Sequence, residues 1–337
     1  YLAAHYFGIP VAITVEGANI LTRNLMIFGQ GATRCHPYVF PEMEAAANPD
    51  EEMGLEKFDH LLVRHIGFTI KNLFAGIFMG LTAALFASSP VSGETRRYYQ
   101  ILSRFSRALA LVTDFSMLTM GGDLKRKEML SARLGDVLSY LYIASSVLKR
   151  YEDEGRQKAD LPLVRYSVQS CLYKMSLAFQ GIFLNFGNRP VAFFLKWAIF
   201  PWGMPYKPIN DELARLVAAT AMEQGVARER WTHLCYIGDN EDDAVGIVER
   251  AFVAAKASEK AELALNKALK SEQVSDTGDY ETLLASAVKA AVLTDEDCEK
   301  LRLTKKLVSE AIAVDAFDAL PVKPKATRSR AKTTKKE

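Results

Sequence analysis

The stretch LSARLGDVLSYLYIASSVLKRYEDEG, residues 130–155, decides the fold class. Its apolar positions Leu130, Leu134, Val137, Leu141, Ala144, Leu148 and Tyr151 alternate spacings of four and three, which puts them on one face of an α-helix. Gly155 ends that helix. After a short connection Val164, Val168, Cys171, Met175, Ala178, Ile182 and Phe186 repeat the same spacing and stop at GNRP, residues 187–190. Two long antiparallel helices follow. Upstream, TRRYYQILSRFSRALALVTDFSMLTM, residues 95–120, reads as a third, closed by Gly121 and Gly122. Downstream, Asn210 can cap a helix over DELARLVAATAM, and Thr294 with Asp297 gives a capping-box pattern. Sustained strand alternation is missing, so the fold class is all-α.

The chain has 337 residues, 49% hydrophobic and 24% charged, enough for one or two cores. Cys35, Cys171, Cys235 and Cys298 are widely spaced and form no CxxC pair, which points away from a disulfide scaffold or structural zinc and toward a reducing cytoplasm. The five histidines, His5, His36, His60, His65 and His233, show no convincing ligand spacing. Metal catalysis is therefore not expected, and there is no Walker-type loop, HExxH or GxSxG.

The net charge of +2 conceals a tail, residues 323–337, with seven Lys or Arg against one Glu. The rest is acidic on balance, which argues against nucleic-acid binding by the folded part. The tail lacks apolar residues to bury and reads as disordered. Tyr1 is not a start methionine, and YLAAHYFGIP lacks a basic lead, so the expectation is the C-terminal part of a longer protein rather than a secretory leader.

Two boundaries are expected, near residues 35–55, where CHPYVFPEMEAAANPDEEMG is rich in Pro, Asn and acid, and more softly at IFPWGMPYKPIN, residues 199–210. Residues beyond about 225 are Ala-rich and more polar, as for a peripheral layer. The run IGFTIKNLFAGIFMGLTAALFASS, residues 66–89, approaches a membrane span in length and contains Gly76-x-x-x-Gly80. Lys71 and Asn72 interrupt it, so a core helix of a soluble bundle is the expectation, with membrane contact as the alternative. PVAFFLKWAIFPWG, residues 190–203, is ambiguous in the same way, because Trp197 and Trp202 suit an interface or a packed corner.

One carboxylate stands apart. In VEGANILTRNLMIFGQGA, residues 15–32, Glu16 sits between Val15 and Gly17 with apolar residues upstream. A partly desolvated carboxylate is a stronger base, and a glycine lets backbone approach a ligand closely. On pattern alone a loop carboxylate or a charge at a helix N-terminus is the ordinary reading.

The same stretch resembles the signature of the acyl-CoA dehydrogenases, a loop with Glu-Gly-Thr leading into a helix with Arg seven residues after the Glu. Glu16, Gly17 and Arg23 match. Further passages, GQGATRCHPYV, LKRKEMLSARLGDVLSYLYIASSVLKRYEDEG, DLPLV, NRPVA and IFPWGMPY, are similar to the bacterial FadE-type group with a long helical C-terminal extension. The resemblance implies four parts: residues 1–45 as the end of the catalytic helical domain, 46–225 as the extension, 226–320 as a peripheral layer and 321–337 as the basic tail.

By that resemblance the enzyme oxidises a medium- or long-chain acyl-CoA to the trans-2-enoyl-CoA in fatty acid β-oxidation, with FAD as hydride acceptor. Glu16 is implied as the base that removes the α-proton, its backbone amide polarising the thioester carbonyl. Gly17 and Asn19 are implied neighbours of FAD. The usual Thr is Ala18 and the position two further on is Ile20, so those side-chain contacts do not carry over. Arg23 is read as packing on the helix surface. An electron-transfer flavoprotein is the implied partner, with homo-oligomers and association with the inner membrane also open. The chain alone is expected to be inactive, the flavin site being built mostly by other domains. An acyl-CoA oxidase uses the same base, and a non-catalytic helical module docking to membrane or a partner is the rival of a different class.

Overall fold

This computed structural model describes residues 6–10, 29–238, 243–275 and 278–314, and helix is the regular structure found among them. The chain forms two compact units, Tyr1–Thr232 and His233–Glu337.

In the first unit, α1 (Gly31–Cys35) and α2 (Val39–Ala46) lead into α3 (Glu51–Leu81), which pairs with α4 (Arg96–Met120). A 3-10 turn, Gly121–Arg126, then opens α5 (Glu128–Asp153), which packs along α6 (Leu161–Asn185) over the largest helix pairing in the unit. The segment α7 (Arg189–Ile199) lies against α3, α4 and α6, and α8 (Asp211–Met222) and α9 (Val226–Thr232) complete the unit. The second unit holds α10 (Ala244–Lys270), α11 (Tyr280–Lys289) and α12 (Asp295–Ala311) around Leu265, Leu284, Ala287 and Leu301.

The α5/α6 pair follows the apolar periodicity closely. Leu134, Val137, Ala144 and Leu148 are fully buried on α5, and Val168, Met175 and Ile182 on α6. They meet Phe105, Leu111 and Val112 of α4 in one core, crowned by the rings of Phe179, Phe183 and Phe200. Asn210 caps α8 by accepting from the Leu213 amide at 2.9 Å. Thr294 and Asp297 form a reciprocal capping box at α12.

Helix α3 departs from the expectation of a core helix. Of its most apolar window only 11% is buried, and its inward face consists of Asn72, Gly76 and Gly80 rather than large side chains. Among the described residues it is the one helix long and apolar enough to cross a membrane by length and composition. Small residues at spacings of four let α3 lie close on its neighbours. A Cβ on Gly80 would stand 2.9 Å from the Ala198 carbonyl oxygen and 3.1 Å from that of Ile199. Because both atoms are backbone, they cannot swing away. Gly80→Ala is expected to destabilise the first unit by about 1–3 kcal/mol in urea unfolding; an unchanged midpoint would show that α3 and α7 do not approach this closely.

The turn after α3 is held by α4. Ala83 and Ala84 have φ of 49° and 60°, a backbone region that side chains other than Gly and Asn rarely occupy. Arg97 donates to the Ala83 carbonyl, and Gln100 Nε2 donates to Leu85 and Ala87 carbonyls at 3.0 Å each. Those bonds fix the end of α3 against the start of α4.

Candidate functional site

His36 follows α1 directly, and its ring caps the next helix. Nδ1 accepts from the amides of Tyr38 at 3.3 Å and Val39 at 3.2 Å, serving N–H groups that the first turn of α2 leaves without intrahelical partners. With Nδ1 an acceptor, the ring proton sits on Nε2, which donates to Asp114 Oδ1 at 3.0 Å. The other carboxylate oxygen, Oδ2, accepts from the Thr69 hydroxyl at 2.8 Å.

His65 of α3 stands beside them, its ring centroid 4.8 Å from that of His36. Its Nδ1 lies 2.9 Å from Glu42 Oε1, its Nε2 3.7 Å from Asp114 Oδ1, and the Tyr38 ring stacks on it at 5.4 Å. The side chains of His36 and Asp114 are only 7% and 5% exposed, so these bonds run in a low-dielectric setting where each is stronger and each loss costs more. Four elements meet here: the α1–α2 joint, α2, α3 and α4.

His36, His65 and Asp114 bring ligand atoms within 4.8 Å of one another, a separation a metal ion could bridge. The hydrogen bonds favour a different role. A cation on His36 Nε2 would move the proton of a neutral ring to Nδ1, where it would face two backbone N–H groups. The donor set fits a buried polar anchor.

A second buried polar group lies ten residues earlier on α4. Arg104, 5% exposed, donates from Nη2 to the Ile199 carbonyl at 2.7 Å, with its guanidinium 5.1 Å from the Phe200 ring centroid. Burial pulls its pKa below the ordinary arginine value, and the hydrogen bond with Tyr206 opposes that shift. Burial likewise pushes the Tyr206 hydroxyl up. The cation closes the C-terminal end of α7, where helix carbonyls present partial negative charge.

At the surface, α6 and α7 form an open groove whose lining includes Leu177, Leu184, Phe193, Arg189 and Lys196. At the N-terminal end of α6, Arg230 of α9 pairs with buried Asp160 through two bonds of 2.6 and 3.1 Å. Asp160 is the lead-in residue to α6, so the pair ties the end of the unit to its central helix.

Glu16, Gly17, Asn19 and Arg23 lie outside the described residues, as do Ala18, Ile20 and the tail. The structure therefore neither joins nor separates the candidate base and its proposed cofactor contacts. What it does place is the chain just downstream: Gly29 and Gln30 enter α1, and His36 fixes that entry twenty residues after Glu16. The His36–His65–Asp114 cluster is not visible in sequence, because its members lie 29, 49 and 78 positions apart along the chain. Helical spacing within one segment carries no trace of contacts between segments.

No solved structure matches the chain. A family model described as acyl-CoA dehydrogenase, C-terminal, bacterial type, matches residues 33–317, which covers most of both units and every helix from α2 to α12. The all-helical chain thus belongs to the acyl-CoA dehydrogenases, through their bacterial-type C-terminal domain.

Proposed function

We propose that this chain carries the proton-abstracting base of an FAD-dependent acyl-CoA dehydrogenase acting on medium- or long-chain acyl-CoA in fatty acid β-oxidation. The observation that supports it most is the family match from residue 33 onward, immediately downstream of the stretch in which Glu16, Gly17 and Arg23 keep the family's spacing.

In this reading the Glu16 carboxylate takes a proton from the carbon next to the thioester carbonyl. The electrons of that C–H bond become the new C2–C3 π bond as a hydride leaves C3, giving the trans-2-enoyl thioester. Negative charge develops on the carbonyl oxygen during the step, and the backbone amide of Glu16 donates to it. FAD, when bound, supplies the hydride acceptor. The contacts to FAD proposed from this chain are those of Gly17 and Asn19. Ala18, without a hydroxyl, offers the flavin no side-chain hydrogen bond.

An electron-transfer flavoprotein is the proposed electron acceptor, and a cytoplasmic enzyme at the inner face of a membrane the proposed setting. Turnover of acyl-CoA by the flavin-loaded enzyme should require that flavoprotein and yield little hydrogen peroxide in air. Stoichiometric peroxide without it would make the enzyme an oxidase, and no turnover under either condition would remove the reading.

A further inference from the structure

Helix α3 wears its apolar side outward. Val63, Ile66, Ile70, Phe74, Phe78 and Leu81, each 47% to 70% exposed, fall at spacings of three and four along one face. With a rise of 1.5 Å per residue the stripe is about 27 Å long. A helix serving only its own core would turn those residues inward and leave the polar ones out.

The stripe does not end with α3. Phe86 lies 6.1 Å from Phe78 between ring centroids, and the exposed Trp202 donates its indole N–H to the Leu81 carbonyl at 3.1 Å. Through Gly80 the same end of α3 meets α7, which exposes Phe193 and Trp197. Single exposed apolar residues are ordinary, but a contiguous aromatic-rich patch of this extent marks an interaction surface.

Charge identifies the occupant. The chain contains 40 Asp and Glu, yet none falls within residues 60–93 or 186–210, the segments that carry the α3 stripe and α7. Those segments carry five Lys and Arg, and Arg64, Lys71, Arg189, Lys196 and Lys207 are all exposed. A second copy docked by a two-fold axis would press one cationic face against another. An anionic bilayer satisfies both features at once: apolar side chains enter the acyl boundary, indoles sit at headgroup level and cations face lipid phosphates.

The helix lies on such a surface rather than crossing it. Its first turns carry exposed Glu51, Glu52, Glu56 and Asp59, and its inner side is tied to α4 by Arg107 to Asn72 at 2.6 Å and by Thr69 to Asp114. We infer that the α3–α7 face is a docking surface for an anionic lipid bilayer, which holds the protein where long-chain acyl thioesters partition. This holds independently of the role of Glu16.

The test is sedimentation of the full-length protein with phosphatidylcholine vesicles, with and without phosphatidylglycerol. Strong binding is expected only with phosphatidylglycerol, weakening as salt rises. Lys71→Glu with Lys196→Glu should weaken it at least 20-fold, from roughly five-fold per charge. Phe74→Ser with Trp197→Ser should also abolish most of it, and because all four side chains are exposed, circular dichroism should show the fold intact. Brominated lipid should quench tryptophan fluorescence in the wild type. The inference is overturned by equal binding to neutral vesicles, by no binding, or by binding that both folded double variants retain, which would assign it to the basic tail. It is equally overturned if the apolar variant turns an oligomer into a monomer while vesicle binding stays unchanged, since the face would then be an interface between copies.

Discussion

Glu16→Gln in the flavin-loaded enzyme should slow acyl-CoA-dependent flavin reduction by about 100- to 10,000-fold while leaving bound flavin and thermal stability unchanged. Glutamine keeps the size and the backbone amide, so carbonyl polarisation by that amide persists. Only the proton acceptor is lost. The α-hydrogen of a thioester is too weakly acidic to leave at neutral pH without a positioned base, which is why the whole loss should appear in the chemical step and little of it in substrate binding. Stopped-flow absorbance reads both. A variant that reduces its flavin at the wild-type rate would require another base, and loss of the flavin itself would mean that Glu16 serves the cofactor instead.

Asp114→Ala should destabilise the first unit by about 3–5 kcal/mol in urea unfolding, the largest effect expected of any surface or core carboxylate described above. The carboxylate accepts from His36 Nε2 at 3.0 Å and Thr69 Oγ1 at 2.8 Å, and faces His65 Nε2 at 3.7 Å. Deleting it leaves buried donors from the α1–α2 joint and from α3 without their acceptor, and each orphaned donor carries a desolvation cost of its own. Asp114→Asn retains one acceptor oxygen and should fall between the two. His36 would also be freed to turn, exposing the amides of Tyr38 and Val39 at the start of α2. An Asp114→Ala protein as stable as the wild type would mean that the cluster is not the anchor of the chain entering α1.

The α5/α6 pair was legible because its signal is local. Every position of the second series, from Val164 to Phe186, is buried, and in the first series Leu141 alone is less than fully so. Caps read equally well, since Asn210, Thr294 and Asp297 act within three residues of themselves. Helix α3 was harder. An apolar run announces that a helix has an apolar side, but the direction of that side is set by Asn72, Gly76 and Gly80, whose small size lets backbone approach backbone. The GxxxG spacing was the available clue, and it pointed to close packing on the glycine side with the large residues left over. The histidine cluster depends on tertiary contacts across α1 to α4 and has no sequence-local trace. The division at Thr232/His233 falls seven residues beyond the composition change near 225, because α9 stays with the first unit through Arg230 and Asp160.

The most direct test of the account is anaerobic mixing of the flavin-loaded enzyme with saturated acyl-CoA of graded chain length, following flavin absorbance and the thioester product together. Bleaching of the oxidised flavin is expected in step with one equivalent of trans-2-enoyl-CoA, with medium or long chains reacting fastest. A flavin that stays oxidised with every chain length, with no enoyl thioester formed, would contradict it.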